Sequence, residues 1–446
     1  MSPSKPSSAN QPYTTPSAIA PTQYQRTIYS ALRAPSISTK PSEWEARARA
    51  ILPAPNFKYV YGAASSGDTH RENTDAFKRY RLRPSMLVNA TRRDLSVELF
   101  GITYPGPLIV GPVGVQEIMH PYAEEATARA CKALKIPMVL SSAATRSIEQ
   151  VAAANGNGDR WFQLYWPKPQ AEEITVSLLN RAKAESYKVL VVTLDTFTLA
   201  WRPEDLDASY LPFIYGQGCQ VGLSDPVFNA RYEEQLARER TEKGFTTRLG
   251  EALETIRRPG SISGAAKVVA NAATMKKAQA WMSILNSGTY REWKHLEILK
   301  KYWDGPIVLK GIQTVGDAQK AVEYGMDGIV VSNHGGRQLD GAIASLDALA
   351  EIAADETVKR SGITVLFDSG IRTGSDVLKA IALGAKAVMV GRPFMYGLAI
   401  DGEEGVKHVL RCIAADTDNM LGNMGKRSLG ELSRNDLRVL GQPAKL

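Results

Sequence analysis

The chain has 446 residues, 44% of them hydrophobic, with a formal net charge of +8. That length exceeds the roughly 250 residues of a simple α/β barrel, and the apolar share supports a large core, which excludes a disordered chain. Cys131, Cys219 and Cys412 are scattered and odd in number, which excludes a disulfide framework or zinc-ligand spacing and suits a reducing compartment. The basic residues are spread rather than striped with aromatics, so no nucleic-acid partner is expected.

Residues 1–40 read as a flexible leader. Met1 to about Pro21 is dominated by Ser, Pro, Thr and Ala and cannot bury enough apolar surface to offset the entropy of ordering. The domain proper is taken as 41–446. No stretch is long and apolar enough for a signal-peptide core or a membrane span, so no membrane partner is expected. Residues 43–51 have a helical pattern and lead into Tyr59, Tyr61 and the small-residue run 62–67.

Eight apolar runs follow, at 106–112, 137–142, 161–166, 189–195, 306–312, 328–335, 363–370 and 387–393. Most are near-continuous Val, Ile and Leu, the composition of parallel strands buried on both faces. Helical patterns at 123–134, 147–154, 171–184, 315–324, 345–354, 374–383 and 404–421 alternate with them. Eight strand-then-helix units predict a closed α/β (β/α)8 TIM barrel, with an N-terminal helical extension and a long insertion after strand 4, at about 203–303. On this barrel active sites gather where strands hand over to loops. The polar strand ends here are Gln163 and Tyr165, Thr193 and Asp195, Lys310, His334 and Arg337, Asp368 and Arg372, and Gly391 and Arg392.

The most specific of these ends is Ser332-Asn333-His334-Gly335-Gly336-Arg337-Gln338-Leu339-Asp340. It sets a proton acceptor beside a fixed positive charge, on backbone that a ligand can approach closely. A carboxylate-bearing substrate that loses a proton or hydride needs that pairing. Asp368-Ser369-Gly370-Ile371-Arg372-Thr373-Gly374 and Gly391-Arg392-Pro393 end the seventh and eighth strands. The loops after those strands often cradle a phosphate, and the two arginines supply forked donors. Side chains do not accept a hydride, so redox chemistry requires a cofactor, and a mononucleotide flavin suits one phosphate site better than a dinucleotide. No metal site is expected. His70 and His120 read as helix or loop residues, and His295 and His408 as solvated.

These motifs resemble the FMN-dependent α-hydroxy acid oxidising enzymes, which include glycolate oxidase, lactate oxidase, flavocytochrome b2 and lactate 2-monooxygenase. The likeness runs from about residue 43 to 440. It is most similar to the lactate 2-monooxygenase branch, through Lys58-Tyr59-Val60-Tyr61-Gly62, Trp201-Arg202-Pro203-Glu204-Asp205-Leu206, Tyr210-Leu211-Pro212-Phe213, Ser224-Asp225-Pro226-Val227-Phe228 and Trp303-Asp304-Gly305-Pro306. The resemblance implies FMN as cofactor and a small 2-hydroxy acid and dioxygen as substrates. It implies that His334 takes up the α-hydrogen or the hydroxyl proton at the reacting carbon, whose hydrogen leaves as a proton or a hydride, with Asp195 stabilising the imidazolium and raising the histidine pKa. Arg202 and Arg337 would hold the substrate carboxylate, and Tyr59 and Tyr165 its carboxylate and hydroxyl. Lys310 would face the flavin edge that becomes negative. Pro112, Val113 and Gly114 would support the ring, with Ser141, Gln163 and Thr193 as further contacts. Asp368, Gly370, Arg372, Gly391 and Arg392 would take the ribityl-phosphate tail.

Gly114 and Ala143 are smaller than their counterparts in glycolate oxidase, which implies extra room around substrate and flavin. If the 2-oxo acid product lingers, decarboxylation to the shortened acid, carbon dioxide and water follows; if it leaves first, the products are the oxo acid and hydrogen peroxide. The insertion, with Gly216, Gly218, Gly222, Gly244 and Gly260 as hinges, is read as a lid that slows release. With no histidine before His70, a fused haem domain is not expected. The terminal Ala444-Lys445-Leu446 is one conservative change from a peroxisomal Ser-Lys-Leu address. It implies a peroxisomal import receptor as partner and a peroxisomal location, otherwise a cytoplasmic one. A homo-oligomer is expected.

Overall fold

A computed structural model of the chain describes residues 21–242 and 262–440. Eight parallel strands close a barrel around a single core. They are β1 (Leu108–Val110), β2 (Met138–Ser141), β3 (Arg160–Tyr165), β4 (Leu190–Thr193), β5 (Ile307–Ile312), β6 (Gly328–Val331), β7 (Thr364–Phe367) and β8 (Ala387–Val390). Each pairs with the next, and β8 closes on β1 through Val388 beside Leu108 and Val390 beside Val110. The predicted barrel is therefore the observed fold.

Nearly every strand residue is buried, as apolar runs covered by side chains within and helices without require. Helices Ala123–Leu134 and Gly374–Leu383 coincide with their predicted spans. Most strands stop earlier than expected, whereas β5 ends at Ile312 as predicted. The run 328–335 ends as strand at Val331 because His334, Gly335 and Gly336 all adopt left-handed backbone, with φ of 59°, 66° and 73°. The final helix spans Arg392–Asn423 and bends where Gly402 takes φ 52°. The opposite, N-terminal end of the barrel is closed by a hairpin of Val97–Leu99 and Ile102–Tyr104. Its Phe100 meets the Trp161 ring edge-on at 5.6 Å.

The extension contains helices Pro41–Ile51, Ala54–Tyr61 and Asp68–Lys78. Residues 1–20, half of the expected leader, lie outside the described residues, as do Ala444, Lys445 and Leu446. Within the leader segment, however, Pro21–Ser30 is a helix packed on the C-terminal helix. Tyr24 Oη lies 2.6 Å from His408 Nδ1, and Asn419 donates to Gln25 at 2.9 Å. His408 is thus buried rather than solvated, with its other ring nitrogen 2.9 Å from the Ser38 carbonyl. Its polar helical neighbours concealed this, because the covering helix comes from the far end of the chain.

The insertion packs onto the barrel, and its buried residues join the same hydrophobic core. Trp281, on helix Ile262–Leu285, is fully buried and meets Phe228 at 5.2 Å. Gly222 is a packing residue, not a hinge: a β-carbon there would fall 2.1 Å from the Trp281 indole. Gly216 and Gly218 have left-handed φ of 80° and 81°, and a β-carbon on Gly218 would lie 2.6 Å from Phe213. Gly244 and Gly260 lie outside the described residues. Among the described residues, no helix is long and apolar enough to cross a membrane. Replacing Gly222 with Ala forces that contact apart and is expected to cost about 1–3 kcal/mol of stability. The urea unfolding midpoint measures it; an unchanged midpoint would mean the indole does not pack there.

Candidate active site

The turn after β6 is built to hold one histidine. Asn333 and Asn73 exchange side-chain hydrogen bonds of 2.8 and 2.7 Å, both buried, and Ser345 donates its backbone N–H to Asn73 at 3.1 Å. Ser332 Oγ accepts from His334 N at 3.1 Å, and Ser369 Oγ accepts from Gly335 N at 3.0 Å. The end of the motif is used as well. Asp340 accepts from the backbone N–H groups of Ser66 and Thr69, each at 3.0 Å, so its charge sits at the N-terminus of helix Asp68–Lys78. A β-carbon on Gly336 would lie 2.5 Å from His70 N, so only glycine allows this helix to approach. His70 stays a helix residue, its imidazole pushed down to about 3 by burial and by Arg392 and Arg372.

His334 Nδ1 lies 2.8 Å from Asp195 Oδ1, bringing together the ends of β6 and β4. Thr196 Oγ1 donates to the same carboxylate oxygen at 2.9 Å and stands 3.2 Å from the imidazole nitrogen. Burial pushes the Asp195 carboxyl up, but His334 and Lys310 together hold it below the usual range. The expected rise in the histidine pKa is not observed. Burial lowers it, and the positive field of Lys310 and Arg202 adds to that, against Asp195. The resting imidazole is therefore neutral, its Nδ1 proton directed at Asp195 and its Nε2 lone pair free. Lys310, at the end of β5, is buried, 3.0 Å from Ser332 Oγ, 3.4 Å from Asp368 Oδ2 and 4.0 Å from Asp195 Oδ2. Burial favours its neutral form, but Asp368 and Asp195 raise its pKa and keep it charged. Tyr165, whose phenol burial pushes up to about 12, completes this end.

Arg337 lies over the Tyr59 ring at 5.4 Å and donates to the Gly62 carbonyl at 2.8 Å. Arg202 is buried; it donates to the Arg337 carbonyl at 3.0 Å and to Gln338 Oε1 at 2.7 Å. Gln338 in turn donates to the Asp195 and Thr198 carbonyls, each at 3.0 Å. On the other side, Arg392 donates to the backbone carbonyls of Val60, Tyr61, Gly62 and Gly335. Arg372 donates to Ile371. Among the described residues, neither Arg372, Arg392 nor Arg337 has a carboxylate within ion-pair distance. Burial and neighbouring arginines push Arg392 down to about 9 and Arg202 to about 10.

One cleft unites these groups, enclosing about 1250 Å³ of empty space with its open mouth included. Tyr59, Tyr165, Arg202, Lys310, His334 and Arg337 line one part, and Asp368, Gly370, Arg372, Gly391 and Arg392 another. Pro112, Val113 and Gly114 lie between. Ser141, Gln163 and Thr193 are not on the wall. They form a buried chain beneath it, Ser141 to Gln163 at 3.1 Å and Gln163 to Thr193 at 2.8 Å. Asp195 stands behind His334. A cleft of this size, in which Arg337, Arg372 and Arg392 lack carboxylates among the described residues and Arg202 has Asp205 at 3.9 Å, fits an anionic ligand larger than a simple hydroxy acid. At Gly391 nothing but Val113, at 3.9 Å, lies near a β-carbon position, which leaves backbone open to a phosphate.

Sequence reasoning missed Thr196 and Asn73, and gave no role of their own to Ser332 and Gln338 within the motif it selected. Thr196 and Gln338 adjoin residues it did select, which is the signal that could have found them. Asn73 has none, because its partner is 260 positions away. It also missed Leu199, Phe213, Met282, Leu285 and Asn286 on the cleft wall.

A parallel barrel whose strand ends carry a buried imidazole–carboxylate pair beside a cation-lined cleft belongs to the class of barrels that can pair proton transfer with a bound anion. The sequence profile described as FMN-dependent dehydrogenase matches residues 48–439. An FMN-dependent alpha-hydroxy acid dehydrogenase, qulF, of Penicillium citrinum is 45% identical over 95% of this chain and 97% of its own. The L-lactate oxidase of Lysinibacillus sphaericus is 37% identical over 80% of this chain and 82% of its own. A crystal structure of mandelate oxidase superposes with a TM-score of 0.71 at 30% identity, over 90% of this chain and 98% of that one. The chain belongs to the FMN-dependent dehydrogenase family. It is an oxidoreductase with FMN as cofactor, and its reaction is the oxidation of a 2-hydroxy acid.

An arginine–phosphate hydrogen bond contributes about 1.5–3 kcal/mol. Arg392→Leu is therefore expected to weaken FMN retention by on the order of tenfold or more. Flavin fluorescence released on dilution measures it; unchanged retention would place the phosphate elsewhere.

Proposed function

We propose that the protein oxidises a small L-2-hydroxy acid with dioxygen as the electron acceptor, in the manner of lactate 2-monooxygenase. The observation that carries this reading is a neutral, carboxylate-held imidazole at His334 facing the same cleft as Arg202, Arg337 and Tyr165. Arg202 and Arg337 clamp the substrate carboxylate, with Tyr59 beside them. Tyr165 holds the hydroxyl. His334 Nε2 then accepts the proton, and Asp195 stabilises the imidazolium through Nδ1–H. FMN, when bound, takes the two electrons of the substrate and delivers them to dioxygen. The charge of Lys310, fixed by Asp368 and Ser332, balances the negative charge gained there. FMN would be held by Pro112, Val113 and Gly114 along its ring, and by Arg372, Arg392, Gly370 and Gly391 at its phosphate.

The 2-oxo acid has two fates. Retained in the cleft, it is decarboxylated by the hydrogen peroxide formed there, giving the shortened acid, carbon dioxide and water. Released first, it leaves as the oxo acid beside free peroxide, the oxidase outcome. The resemblance to the monooxygenase branch favours retention, and the insertion on the cleft wall supports it. Spare room at Gly114 and Ala143 does not, because a β-carbon on Gly114 would lie 2.5 Å from the Ala143 carbonyl oxygen. The small residues there seat one another. The terminal Ala444-Lys445-Leu446 supports import into peroxisomes, where peroxide is disposed of. A homo-oligomeric assembly rests on the family resemblance.

Mixing the holoenzyme with L-lactate without oxygen bleaches its yellow colour if this reading holds, and His334→Ala slows that step by about 10²–10⁴-fold. Undiminished bleaching in the variant would remove His334 as the base. Admitting oxygen and assaying peroxide and carbon dioxide together separates the two fates.

Only neutral His334 accepts the proton, and its pKa is lowered, so the acid limb of kcat/KM lies below pH 6.5. Asp195 raises that pKa, so Asp195→Asn shifts the limb to still lower pH while reducing the rate. A limb that moves upward would contradict the assignment.

A further inference from the structure

We infer that the substrate carries an apolar side chain longer than the methyl group of lactate, and that the insertion after β4 recognises it. This rests on the 2-hydroxy acid reading above and adds the class of side chain.

The carboxylate end of the cleft is defined by Arg202, Arg337 and Tyr59, and the acid–base end by His334. The wall that remains is apolar: Leu199, Phe213, Met282 and Leu285. Two backbone hydrogen bonds fix its position. Lys168 N donates to the Ile284 carbonyl at 3.0 Å, and Gly288 N to the Phe197 carbonyl at 3.1 Å. They seat the C-terminal end of helix Ile262–Leu285 on the loops leaving β3 and β4, the strands that end in Tyr165 and Asp195. Phe213 stands edge-on to Tyr59 with ring centroids 6.4 Å apart, so the wall starts beside the carboxylate clamp.

A methyl group cannot cover four such side chains. Leu199 remains 38% exposed at the mouth, apolar surface that a larger substrate would remove from water. Met282 is unbranched and adaptable, suited to a ring or a branched chain. The side-chain amide of Asn286, on the same wall, makes no hydrogen bond among the described residues. A polar atom at the far end of the substrate side chain, such as a phenol hydroxyl, would find its partner there. The class is therefore L-2-hydroxy acids with branched-alkyl or arylmethyl side chains.

Each further buried methylene raises kcat/KM by on the order of fourfold. The test uses the FMN-loaded enzyme with L-lactate, L-2-hydroxy-4-methylpentanoate and L-3-phenyllactate, read by anaerobic bleaching and oxygen uptake. The expected kcat/KM for the two larger acids exceeds that for lactate by about tenfold or more, and Met282→Ala reduces this ratio by about fivefold. If Met282→Ala loses FMN, Leu199→Ala, at the exposed rim, gives the same readout. Lactate used as well as the larger acids overturns the side-chain class and leaves the 2-hydroxy acid reading standing. A ratio that neither variant alters overturns the role of the insertion. Bleaching by none of the three acids sinks both.

Discussion

Five cations, Arg202, Lys310, Arg337, Arg372 and Arg392, converge on a cleft whose wall carries Asp368, paired with Lys310, while Asp195 behind it serves His334 and Asp205 lies 3.9 Å from Arg202. Burial comes first in lowering the pKa values of Arg202 and Arg392, and like charges in that partly desolvated space add a mutual repulsion. The backbone carbonyls around Arg337 and Arg392 relieve it only in part, because a carbonyl carries a dipole and not a charge. The cleft is thus built for anions, at two separate places. In the proposed reading, a ribityl phosphate would answer the Arg372 and Arg392 end, and a substrate carboxylate the Arg202 and Arg337 end.

The same field ties ligand binding to proton transfer. Burial comes first in lowering the His334 pKa, and Lys310 and Arg202 deepen it, so the free enzyme holds a neutral base. In the proposed reading, a carboxylate docked on Arg202 would cancel part of that positive field, leaving Asp195 and its Thr196 hydrogen bond less opposed. The imidazole becomes more basic once the substrate is in place, when a stronger base is useful. Positioning and basicity are two results of one charge arrangement.

The barrel was legible because most of its strands are short runs of β-branched and apolar residues, and chain order alone closes eight such strands. The cleft was legible where its residues are strand ends: Tyr165, Lys310, His334, Arg337 and the glycine–arginine ends of β7 and β8 all reach it. What escaped depends on contacts between distant segments. Asn73 buttresses Asn333, Tyr24 covers His408, and Phe213 reaches Tyr59; no local pattern marks such partners. The direction of the His334 shift escaped for another reason. An aspartate in the sequence suggests attraction, whereas the depth of burial that outweighs it is a property of the fold. Gly222 reads as a hinge until Trp281 is seen against it.

The backbone at His334 joins the chemistry to the fold. A left-handed φ of 59° costs a residue with a β-carbon roughly 1–2 kcal/mol. It persists because hydrogen bonds from Ser332, Ser369 and the Asn333–Asn73 pair hold the turn from three sides. An extended backbone at that position would continue β6 and carry the imidazole along the strand. The left-handed turn instead brings it across to Asp195 at the end of β4, and the two glycines that follow carry the chain back without further strain. The motif around His334 is therefore a conformational requirement as much as a chemical one: the glycines set the course of the turn, and the turn brings histidine and aspartate together.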